Sequence, residues 1–203
     1  VKLWLKDFDN NGTIEKIVTR SIDGKDKPVA LKADLTAQLT QLKKKNLRHE
    51  TYATQGMNDL FGKEALEDAV IKESTWFQSA VARNDGKGGF TLTPLPKEVQ
   101  FSCVCDIYCR DLNGDDYLDL VMAGNDKNFH PQFSKLDASF GNVLYNNRQG
   151  GFDWVPNQES GLFVKGDVKQ VLEVQLQQVP HLLIMKGEAR PELFKINQKI
   201  IHK

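Results

Sequence analysis

Residues 109–125 read CRDLNGDDYLDLVMAGN, a short acidic loop that leads directly into an apolar strand. Oxygen-bearing side chains occupy positions 1, 3, 5 and 9 of a nine-residue loop, at Asp111, Asn113, Asp115 and Asp119. Carboxylates this close together repel one another unless a cation lies among them. Calcium takes about six to eight oxygen ligands at roughly 2.3–2.6 Å, and a tight loop can supply most of them. The pattern therefore predicts a site for a hard divalent cation, calcium first.

The same loop occurs a second time, in residues 7–15, which read DFDNNGTIE. We name this copy loop 1 and residues 111–119 loop 2. Positions 1, 3, 5 and 9 of loop 1 are Asp7, Asp9, Asn11 and Glu15. Position 6, where a sharp turn needs positive φ, is Gly12 in loop 1 and Asp116 in loop 2. Each loop has three carboxylates at these positions, so one divalent ion would leave about one negative charge.

Two alternatives to this metal site were weighed. An EF-hand needs a bidentate Glu at position 12 and a helix on each side of the loop. Position 12 is Val18 in loop 1 and Met122 in loop 2, and both flanks are typical of strands, which excludes the EF-hand. The second alternative is a pair of Asx-rich hairpin turns that hold no metal. That alternative stays open, although two matched loops with an acid at position 9 favour metal binding.

Composition narrows the possible function classes. Lys and Arg total 27, and Asp and Glu also total 27, so the net charge is zero. A nucleic-acid or anionic-membrane surface needs an excess of basic residues, so neither partner is expected. No apolar run approaches the roughly 20 residues that span a bilayer, and no signal peptide is visible. Because the sequence opens with Val1, we expect a processed or excised piece of a longer protein.

The three cysteines lie at alternate positions of one predicted strand. Cys103, Cys105 and Cys109 have the same parity, so they are expected to point to one face. Their spacing lacks the paired CxxC of a structural zinc site, and neighbours on one strand are poorly placed for a disulfide. The pattern predicts three buried free thiols.

The apolar pattern changes from strands to helices after the first two strands. Strands are predicted at residues 2–6 and 13–20, on either side of loop 1. From residue 33 to about residue 70 the period is helical, with Leu35, Leu39 and Leu42 forming one apolar stripe and Asp34 as a candidate N-cap. We therefore predict a helical insertion between strands.

A repeat with an offset of 62 residues organises the rest of the chain. The segment NDGKGGF at residues 84–90 matches NNRQGGF at residues 146–152. Each repeating unit is predicted to run strand, acidic loop, strand, long connector, strand, NxxxGGF turn, strand. Four antiparallel strands per unit are typical of a propeller blade.

These loops and turns together resemble the FG-GAP and VCBS repeats of integrin-type β-propellers. The helical insertion and the phrases DASFG and ESGLFVKG are similar to the large VCBS-repeat proteins exported by Bacteroidetes. The resemblance implies calcium bound in the first hairpin of a blade. The implied side-chain ligands are Asp7, Asp9, Asn11 and Glu15 in loop 1, and Asp111, Asn113, Asp115 and Asp119 in loop 2. It also implies one backbone carbonyl ligand in each loop, from Thr13 and Tyr117.

The chain departs from the family pattern at four positions of the two loops. Asn11 and Asn113 replace acids, Glu15 replaces Asp, and Asp116 replaces the turn glycine. These departures predict weaker or differently shaped sites.

The expected fold is mostly β, a partial β-propeller of about two and a half four-stranded antiparallel blades with a helical insertion. Blade one would cover residues 1–97, interrupted by the insertion at 33–75. Blade two would cover residues 98–164 and a partial blade three residues 165–203. Propellers typically use four to eight blades, so this segment cannot close a ring alone. We expect either further blades of a longer parent chain or self-association.

The leading functional hypothesis is a non-enzymatic, calcium-stabilised scaffold in an exported protein, located outside the cell or on its surface. Its partner would be a protein or glycan, recognised by the long connectors at residues 33–70 and 124–140. No nucleic-acid partner and no membrane insertion by this segment are expected. The rival hypothesis is part of a polysaccharide lyase or hydrolase, with His130 and Asp137 as candidate residues. A third hypothesis is that the chain is a structural repeat used only for assembly.

Overall fold

The computed structural model describes residues 1–45, 48–128 and 135–197. The chain divides into two compact units, Val1–Phe77 (unit 1) and Gln78–Lys203 (unit 2). Within the described residues the structure is mostly β, with four antiparallel sheets, none of which closes on itself. This confirms the expected β class. No helix in the described parts of the chain is long and apolar enough to cross a membrane.

Unit 1 is built on one four-stranded antiparallel sheet with the strand order β3-β2-β1-β4. Its strands are β1 (Lys2–Lys6), β2 (Glu15–Ile22), β3 (Lys25–Pro28) and β4 (Val70–Glu73). Loop 1 joins β1 to β2, and their register places Trp4 opposite Ile17. Asp23 and Gly24 join β2 to β3 with φ of 53° and 73°, as a two-residue type I′ hairpin turn requires.

The predicted helical insertion packs on this sheet. It consists of α1 (Lys32–Gln38), α2 (Gln41–Lys45), α3 (His49–Thr54), α4 (Met57–Phe61) and a 3₁₀ turn (Glu64–Leu66). The stripe Leu35, Leu39 and Leu42 is buried and forms one core with Trp4 and Ile17. The stripe is thus confirmed, because periodic apolar residues on a helix need a partner surface.

Two details of the insertion differ from the expectation. Asp34 does not cap α1: Leu31 holds the N-cap position and Asp34 lies in the first turn, where an acid still favours the helix dipole. The insertion was expected to continue to residue 75, but residues 70–73 form β4 instead. Val70 and Ile71 are β-branched, and β4 pairs with the outer edge of β1, which would otherwise expose unpaired backbone groups.

Unit 2 contains three antiparallel sheets in its described residues. The first sheet is the hairpin β5 (Ala80–Asn84) and β6 (Phe90–Pro94), which a 3₁₀ turn (Lys97–Phe101) follows. The second is β7 (Val104–Arg110), β8 (Asp119–Gly124), β9 (Asn142–Asn146) and β10 (Phe152–Val155). After α5 (Asn157–Ser160), the third is β11 (Val168–Leu176), β12 (Val179–Lys186) and β13 (Glu192–Lys195). The strands β7 to β10 follow the predicted order of strand, acidic loop, strand, connector, strand, NxxxGGF turn, strand.

The hairpin β5–β6 does not complete the first sheet. We expected it to supply the last two strands of a blade covering residues 1–97, but β3 and β4 complete that sheet instead. The hairpin pairs only with itself among the described residues and belongs to unit 2. The physical reason is that β3 and β4 take both edges of the β1–β2 pair, so no free edge is left there for the hairpin.

The middle sheet of unit 2 has apolar residues on both faces. Val121 and Ala123 point into a core shared with the β11–β13 sheet, where Val171 and Ile184 are buried. The alternate residue Met122 packs on the other face, in a separate cluster with residues such as Leu95. Alternate strand residues face opposite ways, so β8 reads as a continuous apolar run because both of its faces are covered.

The cysteine prediction was half right. All three cysteines are free, as expected, but Cys103 is only half-buried and Cys105 and Cys109 are exposed. Ile107 and Cys109 lie on an exposed face of β7, and the opposite face approaches β11, where Asp106 accepts the backbone N–H of Val171 at 2.7 Å. Cys105 lies where the β7–β8 register is interrupted, between Val104 and Asp106. Strand parity predicted a common face but not which face is buried.

Candidate metal centre

Loop 1 brings three carboxylates together. One oxygen each from Asp7, Asp9 and Glu15 lies within 4.8 Å of the others. Asp7 directly follows β1 and Glu15 begins β2, so the antiparallel pairing of the two strands positions them. Glu15 is almost fully buried, at 1% exposure. A buried carboxylate is expensive unless it is hydrogen-bonded or near a cation, and three oxygens at this spacing suit a hard divalent ion.

Backbone N–H groups shape loop 1 around these side chains. Asp7 accepts hydrogen bonds from Asn11 (3.0 Å) and Gly12 (2.7 Å). Asn11 accepts one from Thr13 (2.8 Å), and Glu15 accepts one from Phe8 (2.7 Å). Desolvation raises the pKa of Asp7, but these and neighbouring backbone N–H groups outweigh it and hold the pKa below its usual value. The carboxylate is therefore ionised at neutral pH and ready to bind a cation.

Loop 2 repeats this hydrogen-bonding pattern position by position. Asp111 accepts from the N–H groups of Asp115 (3.1 Å) and Asp116 (3.0 Å). Asp115 accepts from Tyr117 (2.9 Å), and Asp119 accepts from Leu112 (2.9 Å), as Asn11 and Glu15 do in loop 1. The two loops therefore share one backbone conformation, which the spacing of their side chains predicted.

Both loops also need positive φ at the same positions. Position 4 is Asn10 (57°) in loop 1 and Gly114 (78°) in loop 2. Position 6 is Gly12 (86°) in loop 1 and Asp116 (66°) in loop 2. Asp116 thus adopts the left-handed backbone conformation that Gly12 adopts in loop 1. This conformation is higher in energy for a residue with a Cβ atom than for glycine.

A pair of substitutions at Asp116 measures this backbone strain. Asp116→Gly and Asp116→Ala both remove the charge, but only Asp116→Gly removes the Cβ atom. We expect Asp116→Gly to be the more stable of the two by about 1 kcal/mol, because φ near 66° is strained for alanine. Urea unfolding of both variants gives the difference. Equal free energies of unfolding would show that position 6 carries no strain.

Loop 2 differs from loop 1 in where its carboxylates point. Asp111, Asp115 and Asp119 do not bring one oxygen each within 4.8 Å of one another, judged on the described residues. Asp119 is fully buried, and its second oxygen accepts the N–H of Asn146 at 2.9 Å. Burial raises the pKa of Asp119 above its usual value, while backbone hydrogen bonds and neighbouring acids act on it more weakly. The carboxylates of loop 2 stand at positions 1, 5 and 9, whereas the three that converge in loop 1 stand at positions 1, 3 and 9, because Asn113 replaces the acid of position 3 in loop 2.

The repeated NxxxGGF turns are also alike in structure. Asn84 accepts the N–H of Gly86 (2.7 Å), and Asn146 accepts the N–H of Arg148 (2.9 Å). Their next residues, Asp85 and Asn147, each accept two further backbone N–H groups of the turn. The sequence repeat at an offset of 62 therefore corresponds to one repeated hairpin turn.

Sequence reasoning missed Arg148. It lies in the second turn and forms an ion pair with Asp115 of loop 2, at 3.0 Å from Nη2 to Oδ2. The sequence does contain a clue: when the two NxxxGGF turns are aligned, Arg148 occupies the position of Gly86, where a charged residue is unexpected. All of the ligand assignments in the two loops stay predictions, the side chains as well as the carbonyls of Thr13 and Tyr117.

The rival enzymatic hypothesis named two residues, His130 and Asp137. His130 lies outside the described residues, and Asp137 is exposed. A cavity of about 340 Å³ in unit 2 lies between its second and third sheets. Val121, Val143 and Leu182 are among its lining residues, and none of the described lining residues is an acid, a histidine or a cysteine.

Comparison with known proteins gave no match to a protein-family model, to a curated protein or to a solved structure.

Proposed function

We propose that this chain is a calcium-binding, FG-GAP/VCBS-like β-propeller segment of an exported protein, acting as a non-enzymatic scaffold that recognises a protein or glycan. The observation that carries the proposal is the convergence of Asp7, Asp9 and Glu15 in a loop between two antiparallel strands. Glu15 contributes a buried charge, which is stabilised if a divalent ion lies beside it.

The role of calcium in this proposal is structural. The ligand oxygens of loop 1 come from both ends of a strand-to-strand connection, so an ion bound there ties β1 to β2. An ion that binds the folded state and not the unfolded chain adds its binding free energy to folding. Calcium would thus stabilise the first sheet of the chain without any catalytic step.

The propeller part of the proposal is supported by the sheets of unit 2. The strands β7 to β10 form a four-stranded antiparallel sheet with neighbouring strands in chain order, as a blade requires. The β11–β13 sheet shares a core with one face of it, which is how successive blades pack. The hairpin β5–β6 leaves Phe90 65% exposed, which fits a surface covered by a further blade of a longer chain or of a second copy.

The exported location and the recognition role follow from the same proposal. Loops with few carboxylates and an open side bind calcium weakly, at about 10⁻⁴–10⁻³ M in extracellular modules, so they fill only where calcium is abundant. Each unit would recognise partners through its own long connector, which includes α1 to α4 in unit 1 and is residues 124–140 in unit 2, because connecting segments on rigid scaffolds carry many binding residues.

Calcium-flow dialysis on the full chain, after removal of metal with EDTA, tests the proposal. We expect saturable calcium binding with a dissociation constant near 10⁻⁴ M, and little competition by equimolar magnesium, which demands a stricter octahedral geometry. Retention of no calcium up to 10 mM, or equal retention of magnesium, would contradict it.

A further inference from the structure

Loop 2 already has a cation beside it, supplied by the chain. We propose that the guanidinium of Arg148 is the resident cation of loop 2, so that the chain binds one divalent ion, in loop 1, and keeps loop 2 folded without one. The count of one ion rests on the proposed calcium function. The role of Arg148 does not, because it concerns a contact within the chain.

The contacts of Arg148 converge on one oxygen of loop 2. Its Nε and Nη2 lie 3.2 Å and 3.0 Å from Oδ2 of Asp115, and Nη2 lies 3.5 Å from the Asp115 carbonyl oxygen. The guanidinium also lies over the ring of Tyr117, 5.0 Å from its centroid. Charge-assisted hydrogen bonds and cation–π contacts of this kind hold an arginine in one place.

Arg148 pairs with the oxygen of Asp115 that does not bond to the N–H of Tyr117. The other oxygen of Asp115 accepts the N–H of Tyr117 and so shapes the loop. The side-chain amide of Asn113 also reaches Oδ2, at 3.4 Å. In loop 1 the corresponding position is Asn11, which carries no charge for an arginine to pair with. Position 3 differs in the opposite sense, with Asp9 in loop 1 and Asn113 in loop 2, so only loop 2 has a carboxylate where an arginine of the neighbouring turn can pair with it.

The backbone of Arg148 gives an independent reason to assign a role to its side chain. Arg148 has φ of 60°, in the left-handed region, and the matching residue of the first turn is Gly86 at 73°. Gly86 and Arg148 each donate the backbone N–H to the first asparagine of their turn. Because glycine makes this bond equally well, the turn itself does not require the arginine side chain. An arginine costs more than glycine in this conformation, and a strained residue at such a position is a reason to look for a function.

The turn that carries Arg148 is fixed relative to loop 2 by further contacts. Asn146 donates its backbone N–H to Asp119 at 2.9 Å and its side-chain amide to the carbonyl of Leu118 at 3.3 Å. The backbone of the turn therefore positions Arg148 next to Asp115. Forming this ion pair should cost less conformational entropy than pairing two flexible surface residues.

Two measurements on Arg148→Gln test the proposal, with Lys87→Gln as the matched control. The control removes one positive charge from the equivalent turn of the first hairpin. By hydrogen exchange in EDTA, we expect the protection of the Asp116 and Tyr117 amides to fall about tenfold in Arg148→Gln. The loop 1 amides of Gly12 and Thr13 should not change, and Lys87→Gln should leave both loops unaffected. Unchanged protection of loop 2 would overturn the role of Arg148, whatever calcium does.

Calcium-flow dialysis decides the number of ions. We expect one calcium per chain for the unsubstituted protein and for Lys87→Gln, and two for Arg148→Gln, because the freed Oδ2 of Asp115 joins the oxygens of loop 2. Two ions in the unsubstituted protein, or one in Arg148→Gln, would overturn the proposal. No calcium in any variant would remove the proposed calcium function, and hydrogen exchange would still decide the role of Arg148.

Discussion

Saturation with calcium is expected to raise the midpoint of thermal unfolding of unit 1 by on the order of 10 °C. At a calcium concentration about 100 times the dissociation constant, binding to the folded state alone stabilises it by roughly 2.7 kcal/mol. For a unit of about 77 residues, each 1 kcal/mol moves the midpoint by about 4–8 °C. Differential scanning calorimetry in EDTA and in excess calcium measures the shift.

Asp9→Asn is the most informative variant for this experiment. Asp9 is one of the three convergent carboxylates, yet it accepts only one described backbone hydrogen bond of loop 1, from Asn11 at 3.3 Å. Asp7 accepts two such bonds, so replacing Asp7 would disturb the loop itself. We therefore expect Asp9→Asn to fold as before in EDTA and to lose most of the calcium-induced shift.

The matched control is Asp23→Asn, which makes the same chemical change in the β2–β3 turn of unit 1. The Asp23 side chain is 85% exposed and lies outside loop 1. The calcium-induced shift should survive in this variant. If Asp9→Asn kept the full shift as well, calcium would act elsewhere and loop 1 would not be its site.

The second large effect is expected from Gly124→Ala in unit 2. A Cβ atom built on Gly124 would lie 1.9 Å from the carbonyl oxygen of Cys103 and 2.8 Å from its carbonyl carbon. These are backbone atoms of the paired strand, where Gly124 lies opposite Val104. No rotamer change relieves such a contact, so the β7–β8 pairing must open at this end. We expect a loss of about 3 kcal/mol in the free energy of unfolding of unit 2, the upper part of the range for overpacking.

Gly114→Ala is the control for that variant. A Cβ atom at Gly114 meets nothing within 4 Å, and φ there is 78°. Alanine at this position should therefore lower the free energy of unfolding by only about 1 kcal/mol, through backbone strain. Urea unfolding of the two variants separates steric exclusion from backbone strain. Equal losses would mean that β7 can move away from β8 and that the glycine is not needed for close approach.

The local structure of loops, turns and most strands could be predicted from the sequence. Side-chain oxygens at fixed spacing predicted both acidic loops, because each one bonds to backbone N–H groups a few residues away. The recurring NxxxGGF segments predicted two equivalent hairpin turns for the same reason. The helical apolar period predicted the buried leucine stripe of unit 1, and the repeated segments predicted the strand order of β7 to β10.

Other features depend on which distant segments meet, and local patterns carry little information about that. The pairing of β4 with β1 joins residues about 70 positions apart, and it displaced the hairpin β5–β6 that the repeat had assigned to the same sheet. The exposure of Cys109 depends on which face of β7 approaches β11. Arg148 and Asp115 lie 33 residues apart, and only the folding of the β9–β10 turn towards loop 2 brings their charges together. Periodicity records the environment within one element, whereas the contacts between elements are set by the packing of the whole chain.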